Sequence, residues 1–261
     1  ADAVHLLAEV ARLAYADRSK HLGDPDFYNV PVEWLTSEAY AEELAQSIDM
    51  TSARSSTEVA PGVAPLPESD DTTHYSVIDA DGNVVSNTYT LNFSYGSGIS
   101  VPGAGFLLNN EMDDFVSKPG VPNAFGLLGG EANSIAALKR PLSSMTPTIV
   151  FADGEPWFAT GSPGGSRIIT TVLQMIVNVI DHGMNLAEAT NAPRMHHQWF
   201  PDELRLEPGF SPDTVRLLRE RGHTVEDSRP VMGSLQSVGL KDGVFRGASD
   251  LRRADAGTRA P

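Results

Sequence analysis

The chain has no cysteine. Disulfides, zinc-thiolate sites and cysteine nucleophiles are therefore excluded, while the compartment stays open, because a thiol-free chain suits oxidising and reducing surroundings alike. Positive charge is scarce: 19 lysines and arginines stand against 34 aspartates and glutamates, a formal net charge of -15. Nucleic acid and anionic membrane surfaces are bound through clusters of lysine and arginine, none of which is visible, so neither is an expected partner. Long hydrophobic runs are missing as well. The longest, Ile168 to Ile180, is broken by Gln174 and Asn178 and falls short of the ~20 residues that span a membrane. The chain reads as soluble.

What is present is ordinary for a globular protein: 261 residues, enough for one large domain or two small ones, with an apolar fraction of 41% that suits a real core. A start at Ala1 without a secretion signal reads as a chain cut from something longer. Residues 1 to about 20 have the spacing of an amphipathic helix, with Leu6, Val10 and Leu13 on one side and Leu7, Ala11 and Ala14 beside them. A second helix is expected from Thr36 to about Ile48, capped by Thr36 or Ser37. From Thr51 to Asp71, Pro61, Pro65 and Pro67 break any helix, and Glu68, Asp70 and Asp71 add charge without apolar anchors, which reads as a mobile linker.

Beyond the linker, His74 to Asp79 and Val84 to Leu91 are β-rich runs around Asp79-Ala-Asp-Gly-Asn83, a hairpin whose antiparallel pairing carries Thr90 and Asn92 toward Thr72. A glycine-rich loop, Tyr95 to Gly105, leads to a short strand at Gly105 to Leu108. A hairpin around Asp153-Gly154, a long nearly uncharged helix from Ser166 to about His182, and a short helix at Leu186 to Thr190 follow. Strands near Met195 to Phe200 and Glu203 to Glu207, a helix from Ser211 to Arg221, and a last hairpin at Asp242-Gly243 complete the chain. Interleaved helices and hairpins without repeats indicate an α+β fold with antiparallel sheet.

Several residues are chemically suited to a site. Thr72, Thr73 and Ser76 each offer a hydroxyl nucleophile, which needs an adjacent base; a threonine that leads its own chain has one in its α-amine, whose pKa is about 7.7 to 8. The run Asn109-Asn-Glu-Met-Asp-Asp114 sets three carboxylates within four residues, which fits a cation site or a solvated loop. It lacks the pattern and the distal glutamate of a calcium loop, so no metal is expected. Ser143 and Ser144 follow Pro141 in what reads as a turn. Gly161-Ser-Pro-Gly-Gly-Ser166 before a helix is a nest of backbone amides for a phosphate or an oxyanion. No lysine follows it, against a P-loop, and Pro163 after Ser162 is against a nucleophile elbow. The adjacent His196 and His197 point to opposite faces of a strand and read as structural; His5 and His21 read as ordinary.

Thr72-Thr-His-Tyr-Ser, Thr90-Leu-Asn92, Asn109 to Asp114, Pro141-Leu-Ser-Ser144 and Gly161 to Ser166, in this order, resemble the γ-glutamyltranspeptidases. The likeness runs from Y-A-D-R-S and L-G-D-P-D-F near the start to G-A-S-D near the end. It implies the αββα sandwich of the N-terminal nucleophile hydrolases, here without most of the upstream large subunit. Residues 1–71 would be the end of that subunit and 72–261 a small catalytic subunit released by self-cleavage between Asp71 and Thr72. The resemblance selects Thr72 as nucleophile and gives Thr90 the task of steering its hydroxyl. Asn92, Glu111 and Asp114 would bind the amino acid end of the donor, with Glu111 and Asp114 on its ammonium. Ser143 and Ser144 would bond its α-carboxylate, and the amides of Gly164 and Gly165 would hold the oxyanion.

Implied with these are a glutathione or other γ-glutamyl amide substrate, amino acid or peptide acceptors, a large-subunit partner from the same precursor, no cofactor, and a periplasmic or extracellular location. Phe125, in a V-P-N-A-F-G loop that resembles the flap over the site, stands where some relatives have tyrosine. Its ring can cover the pocket but has no hydroxyl to anchor the flap to Asn92, which favours hydrolysis over transfer. The family's arginine for the substrate carboxylate lies upstream, and nothing here replaces it. Two alternatives remain: a cephalosporin or glutaryl acylase of the same superfamily, which would not need Glu111 and Asp114, and a catalytically incomplete precursor fragment.

Overall fold

The computed structural model describes residues 1–59, 72–116, 118–124, 126–226 and 231–259. They fall into two compact units that interleave along the chain, one within residues 1–68, 111–143 and 195–230, the other within residues 69–110, 144–194 and 231–261. Among the described residues no helix is long and apolar enough to cross a membrane.

The first unit is built on α1 (Asp2–His21). Its buried stripe runs through His5, Ala8, Ala11, Arg12 and Tyr15, while Leu6 and Val10, expected inside, are 41% and 40% exposed. The stripe turned because its polar members found buried partners. Arg12 donates to Ser56 Oγ at 2.5 Å and to the Asp202 carboxylate, and it also pairs with Glu9. His5 bonds His223 at 2.7 Å and the Asp49 carbonyl at 2.8 Å. Ala8 enters an apolar cluster with Met195, Leu204, Leu206, Val215, Leu218 and Val225, in which α7 (Pro212–Glu220) packs its Val215 and Leu218.

Ser211 caps α7 by accepting from Thr214 N, as Ser37 caps α3 (Glu38–Gln46) by accepting from Tyr40 N, the serine serving rather than Thr36. Two short α-helices, α2 (Val32–Leu35) and α4 (Ser56–Val59), complete the α-helices of this unit among the described residues. α4 lies inside the expected linker: Ser56 is fully buried, donating to Trp199 O and accepting from Arg12. Residues 60–71 of the linker, with Asp71, lie outside the described residues. The strands expected at Met195 to Phe200 and Glu203 to Glu207 shrink to β5 (Met195–His196) and β6 (Arg205–Leu206), because Trp199 turns the chain with a φ of 68°.

The second unit is layered. β1 (Thr72–Ile78) and β2 (Val84–Thr90) pair antiparallel in the register Thr72↔Thr90 to Ile78↔Val84. Period-2 alternation turns His74, Ser76, Ser86 and Thr88 inward and leaves Tyr75, Val77, Val85 and Tyr89 exposed. The inward hydroxyls tie the hairpin to a four-stranded antiparallel sheet, Ser76 Oγ donating to Gln236 O at 3.0 Å and Ser86 Oγ to Thr160 O at 2.9 Å. That sheet has the order β3 (Thr148–Ala152), β4 (Glu155–Thr160), β7 (Gln236–Lys241), β8 (Val244–Ser249).

Its two hairpins close on Asp153-Gly154 and Asp242-Gly243, all four residues at positive φ, the geometry of the two-residue turn. α5 (Arg167–Ile180) covers the sheet, packing Ile168, Val172, Met175 and Val179 on Phe158 and Leu235; only Ile180 at its end is exposed. α6 (Leu186–Asn191) packs beside it behind a capping box made by Asn185 and Glu188. The strand expected at Gly105 to Leu108 is reduced to the bridge Ser100↔Leu107, since Gly103 and Gly105 bend the loop with φ of 79° and 77°.

Candidate active site

The hairpin register sets Thr72 directly across from Thr90, so their side chains share the inward face. Thr72 Oγ donates to Thr90 Oγ at 3.1 Å, and Thr90 Oγ also accepts from Asn92 N at 2.9 Å. Asn92 follows the strand with a φ of 74°, a conformation asparagine tolerates better than most side chains. Its Nδ2 donates to Asn110 O at 3.2 Å, while Asn110 accepts from Phe93 N through its side chain and donates to Leu91 O. Asn110 thus clasps residues 91 to 93 by three bonds. Thr72, Thr90 and Asn92 are brought together as one continuous group.

Two open cavities meet at Thr72. One, of about 320 Å³, is bounded by Thr72, His74, Ser76, Pro163 and Gln236; the other, of about 390 Å³, by Thr72, Thr90, Phe93 and Phe106; Arg253 borders both. Pro163 belongs to the Gly161 to Ser166 turn. There Gly164 and Gly165 have φ of 133° and 55°, both in the region that favours glycine. Their carbonyls accept from Arg167 N and Ile168 N, which opens α5, and among the described residues no partner takes up the N–H of Gly164 or Gly165. Ser162 is buried, donates to Pro163 O and accepts from Ser234 N, so it holds the turn rather than facing solvent.

Glu111 and Asp114 belong to the first unit, on a single 3₁₀ turn. Burial, then the Glu111 carboxylate bonded beside it, pushes the Asp114 carboxyl up to about 8, against the pull of Arg18; burial raises Glu111 as well. The pair therefore holds a proton at neutral pH, as two crowded carboxyl groups must. Arg18 and Asp114 border a cavity of about 450 Å³, whose rim includes Val121, Pro122, Asn123 and Ala124 of the expected flap; Ala124 N donates to Asp113. Phe125 itself lies outside the described residues. Ser143 is exposed in the first unit, and Ser144, in the second, is half-buried with its carbonyl accepting from Thr146.

Two residues of these surroundings went unnoticed in the sequence. Arg18 carries no local signal, although its place one turn beyond Tyr15 puts it near the buried stripe of α1. His74 had one: it stands two residues from Thr72, on the same face of the strand. His196 and His197 are buried and bonded to Gln198 and Asp202 respectively; burial lowers His197 to about 4. His5, Glu9 and His223 lie close enough to ligate one ion, but His5 Nδ1 and His223 Nε2 bond each other and both Glu9 oxygens accept from Arg12 and Arg54 N, so most of these atoms are already engaged.

A sequence profile described as Gamma-glutamyltranspeptidase matches residues 1–260. A glutathione hydrolase proenzyme of Escherichia coli (strain K12) is 59% identical over 256 residues, 98% of this chain and 44% of that protein. An acylase ACY 1 proenzyme of Pseudomonas sp. (strain SE83) is 41% identical over 252 residues, 96% of this chain and 42% of that protein. The chain thus spans less than half the length of these two curated relatives. Among solved structures, a gamma-glutamyltranspeptidase from Pseudomonas nitroreducens complexed with L-DON matches with a TM-score of 0.68 at 46% identity, covering 72% of this chain and 100% of that one.

Proposed function

Because this chain belongs to the gamma-glutamyltranspeptidase family, we propose that it is the nucleophile-bearing part of a γ-glutamyl hydrolase and transferase that acts on glutathione and other γ-glutamyl amides. Its fold is that of the N-terminal nucleophile hydrolases, of the α+β class. The precursor cleaves itself first. Thr72 Oγ attacks the carbonyl carbon of Asp71, the acyl group passes from nitrogen to oxygen, and water hydrolyses the ester to leave an aspartate carboxylate and a free threonine amine. In support, the solved relative's whole chain corresponds to 72% of this one, close to the share of residues 72–261, 190 of 261.

In turnover the amine accepts the Thr72 hydroxyl proton as Oγ attacks the γ-carbonyl, and the amides of Gly164 and Gly165 bond the oxyanion. The C–N bond then breaks, the amine returns the proton to the departing nitrogen, and a γ-glutamyl ester remains for water or an amino acid acceptor. Thr90 steers the hydroxyl. Asn92, Glu111 and Asp114 hold the donor's amino acid end, Ser143 and Ser144 its α-carboxylate, and Phe125 covers the pocket. A large subunit, residues 1–71 being its end, supplies the remaining contacts, and the assembled enzyme works in the periplasm or outside the cell.

The observation that carries this reading is the Thr72–Thr90 hydroxyl contact at 3.1 Å, backed by the Asn92 amide, which orders the one hydroxyl the chemistry requires. The Glu111–Asp114 pair adds a second argument: two carboxyl groups crowded on one partly buried turn gain from a facing ammonium, which favours their ionised forms. An acylase for substrates without that ammonium would gain nothing from the pair. Intact mass of the purified full-length protein tests the scheme, with a fragment beginning at Thr72 expected in the wild type and none in Thr72→Ala. γ-Glutamyl transfer by uncleaved Thr72→Ala protein would refute it.

A further inference from the structure

His74 is 5% exposed and spends both ring nitrogens inside the second unit, bonding Thr88 Oγ at 2.7 Å through Nδ1 and Ser76 Oγ at 2.9 Å through Nε2. The Ser76 hydroxyl proton goes to Gln236 O. Ser76 therefore accepts from His74, which fixes the ring as the Nε2–H tautomer, with Nδ1 accepting from the Thr88 hydroxyl. The circuit then continues, since Gln236 N donates to Gly161 O at 3.1 Å. Gly161 in turn lies flat against the imidazole: a Cβ at that position would come within 2.3 Å of the ring.

We infer that His74 is a positioning residue, whose ring is the spacer that sets the Gly161 to Gly165 turn, with the Gly164 and Gly165 amides, at a fixed separation from the strand that carries Thr72. This inference rests on the proposed roles of Thr72, Gly164 and Gly165. One end of the ring belongs to the nucleophile's strand pair, and its face and far nitrogen reference the oxyanion turn by direct packing and through Ser76 and Gln236. Ser86, bonded to Thr160 O next to Gly161, ties the same two elements at a second point. The ring is fit for a spacer because it stays neutral: burial lowers His74 to about 4, so its tautomer, and hence the direction of the whole chain of bonds, holds throughout the neutral range.

An error of position between nucleophile and oxyanion donors is felt in the transition state and hardly in donor binding; a displacement of ~1 Å can cost ~10²-fold in rate. In the full-length protein, His74→Ala should lower kcat for a γ-glutamyl amide by roughly 10²-fold per active site, counted by burst titration, with KM changed less than ~3-fold. His74→Gln, whose amide nitrogen can still donate to Ser76, should recover most of the loss. A merely structural histidine would instead reduce the number of titrated sites and leave kcat per site alone, and that result overturns the inference. So does a His74→Gln protein no better than His74→Ala.

Should His74→Ala fail to fold, Ser76→Ala carries the test, because it breaks the same circuit with little loss of volume. A kcat several-fold lower at constant KM is expected, and an unchanged kcat refutes the spacer. Wild-type protein that forms no γ-glutamyl ester refutes both this inference and the enzyme reading, whereas an active wild type with indifferent His74 variants refutes this inference alone.

Discussion

Replacing Asp114 by asparagine removes a charge while keeping the shape of the side chain, and so tests whether the acidic turn receives an ammonium. In the unliganded protein the Asp114 carboxyl is pushed up to about 8, first by burial and then by Glu111. An ammonium ligand selects the ionised form, so each pH unit below 8 should weaken its binding by up to about tenfold, with a plateau above. A charge-assisted bond of about 2 kcal/mol in a partly buried site corresponds to roughly 30-fold in affinity. The assay is the inhibition constant of glutamate, with glutarate as the analogue that lacks the ammonium, between pH 6 and 9. Asp114→Asn should weaken glutamate roughly 30-fold at pH 8.5, abolish its pH slope and leave glutarate nearly unchanged. A flat wild-type profile, or equal losses for both ligands, would refute the assignment.

The same group predicts the stability of the protein. Its folded pKa lies above the unfolded value of 3.8, so between the two the native state holds more protons than the unfolded chain, and stability falls as pH rises through that window. The Tm of Asp114→Asn relative to the wild type should climb from no difference near pH 4 to its maximum above pH 8.

Thr90→Val preserves shape but removes the acceptor for both the Thr72 hydroxyl and Asn92 N; kcat should fall roughly 10- to 100-fold in steady-state assays, and Thr90→Ser should restore it. Gly164→Ala has room for a methyl group, the nearest described atom being 3.5 Å away, but not the backbone freedom, since φ is 133°. About 1–3 kcal/mol of strain should show in thermal melts, with kcat down ~10²-fold as the amide turns aside. Arg194→Met leaves the buried Asp250 carboxylate without its 2.5 Å partner. Such a loss costs about 3–5 kcal/mol, and Arg252, still 3.0 Å from the other oxygen, should hold it to the lower end in denaturant titrations.

Elements governed by near neighbours in sequence were legible. The Asp153-Gly154 and Asp242-Gly243 hairpins, the Ser37 and Ser211 caps and the alternation that sets Thr72 opposite Thr90 all follow from short-range backbone rules. Residues that answer to distant partners were not. Leu6 and Val10 stand outside, because the interior of α1 is instead occupied by His5 and Arg12, whose partners beyond the helix lie at 44 to 218 residues' separation. Ser56 could not be told from linker for the same reason, and the short β5 ends at a backbone turn that its apolar neighbours conceal.

The order of chemical groups along the chain was therefore determined by the sequence alone: a hydroxyl at the head of a strand, its partner one hairpin later, a carboxylate turn, a serine pair and a glycine nest. These depend on residue type and spacing. Tertiary structure decided how those groups behave. Burial beside a second carboxyl raises Asp114, contact with an imidazole places Gly161, and a chain of hydrogen bonds from Thr88 through Ser76 to the Gln236 carbonyl selects one tautomer of His74. These effects arise from burial, van der Waals contact and hydrogen bonding that the folded chain completes with residues remote in sequence, as Gln236 does for Ser76 and His74 for Gly161, and no local pattern encodes them.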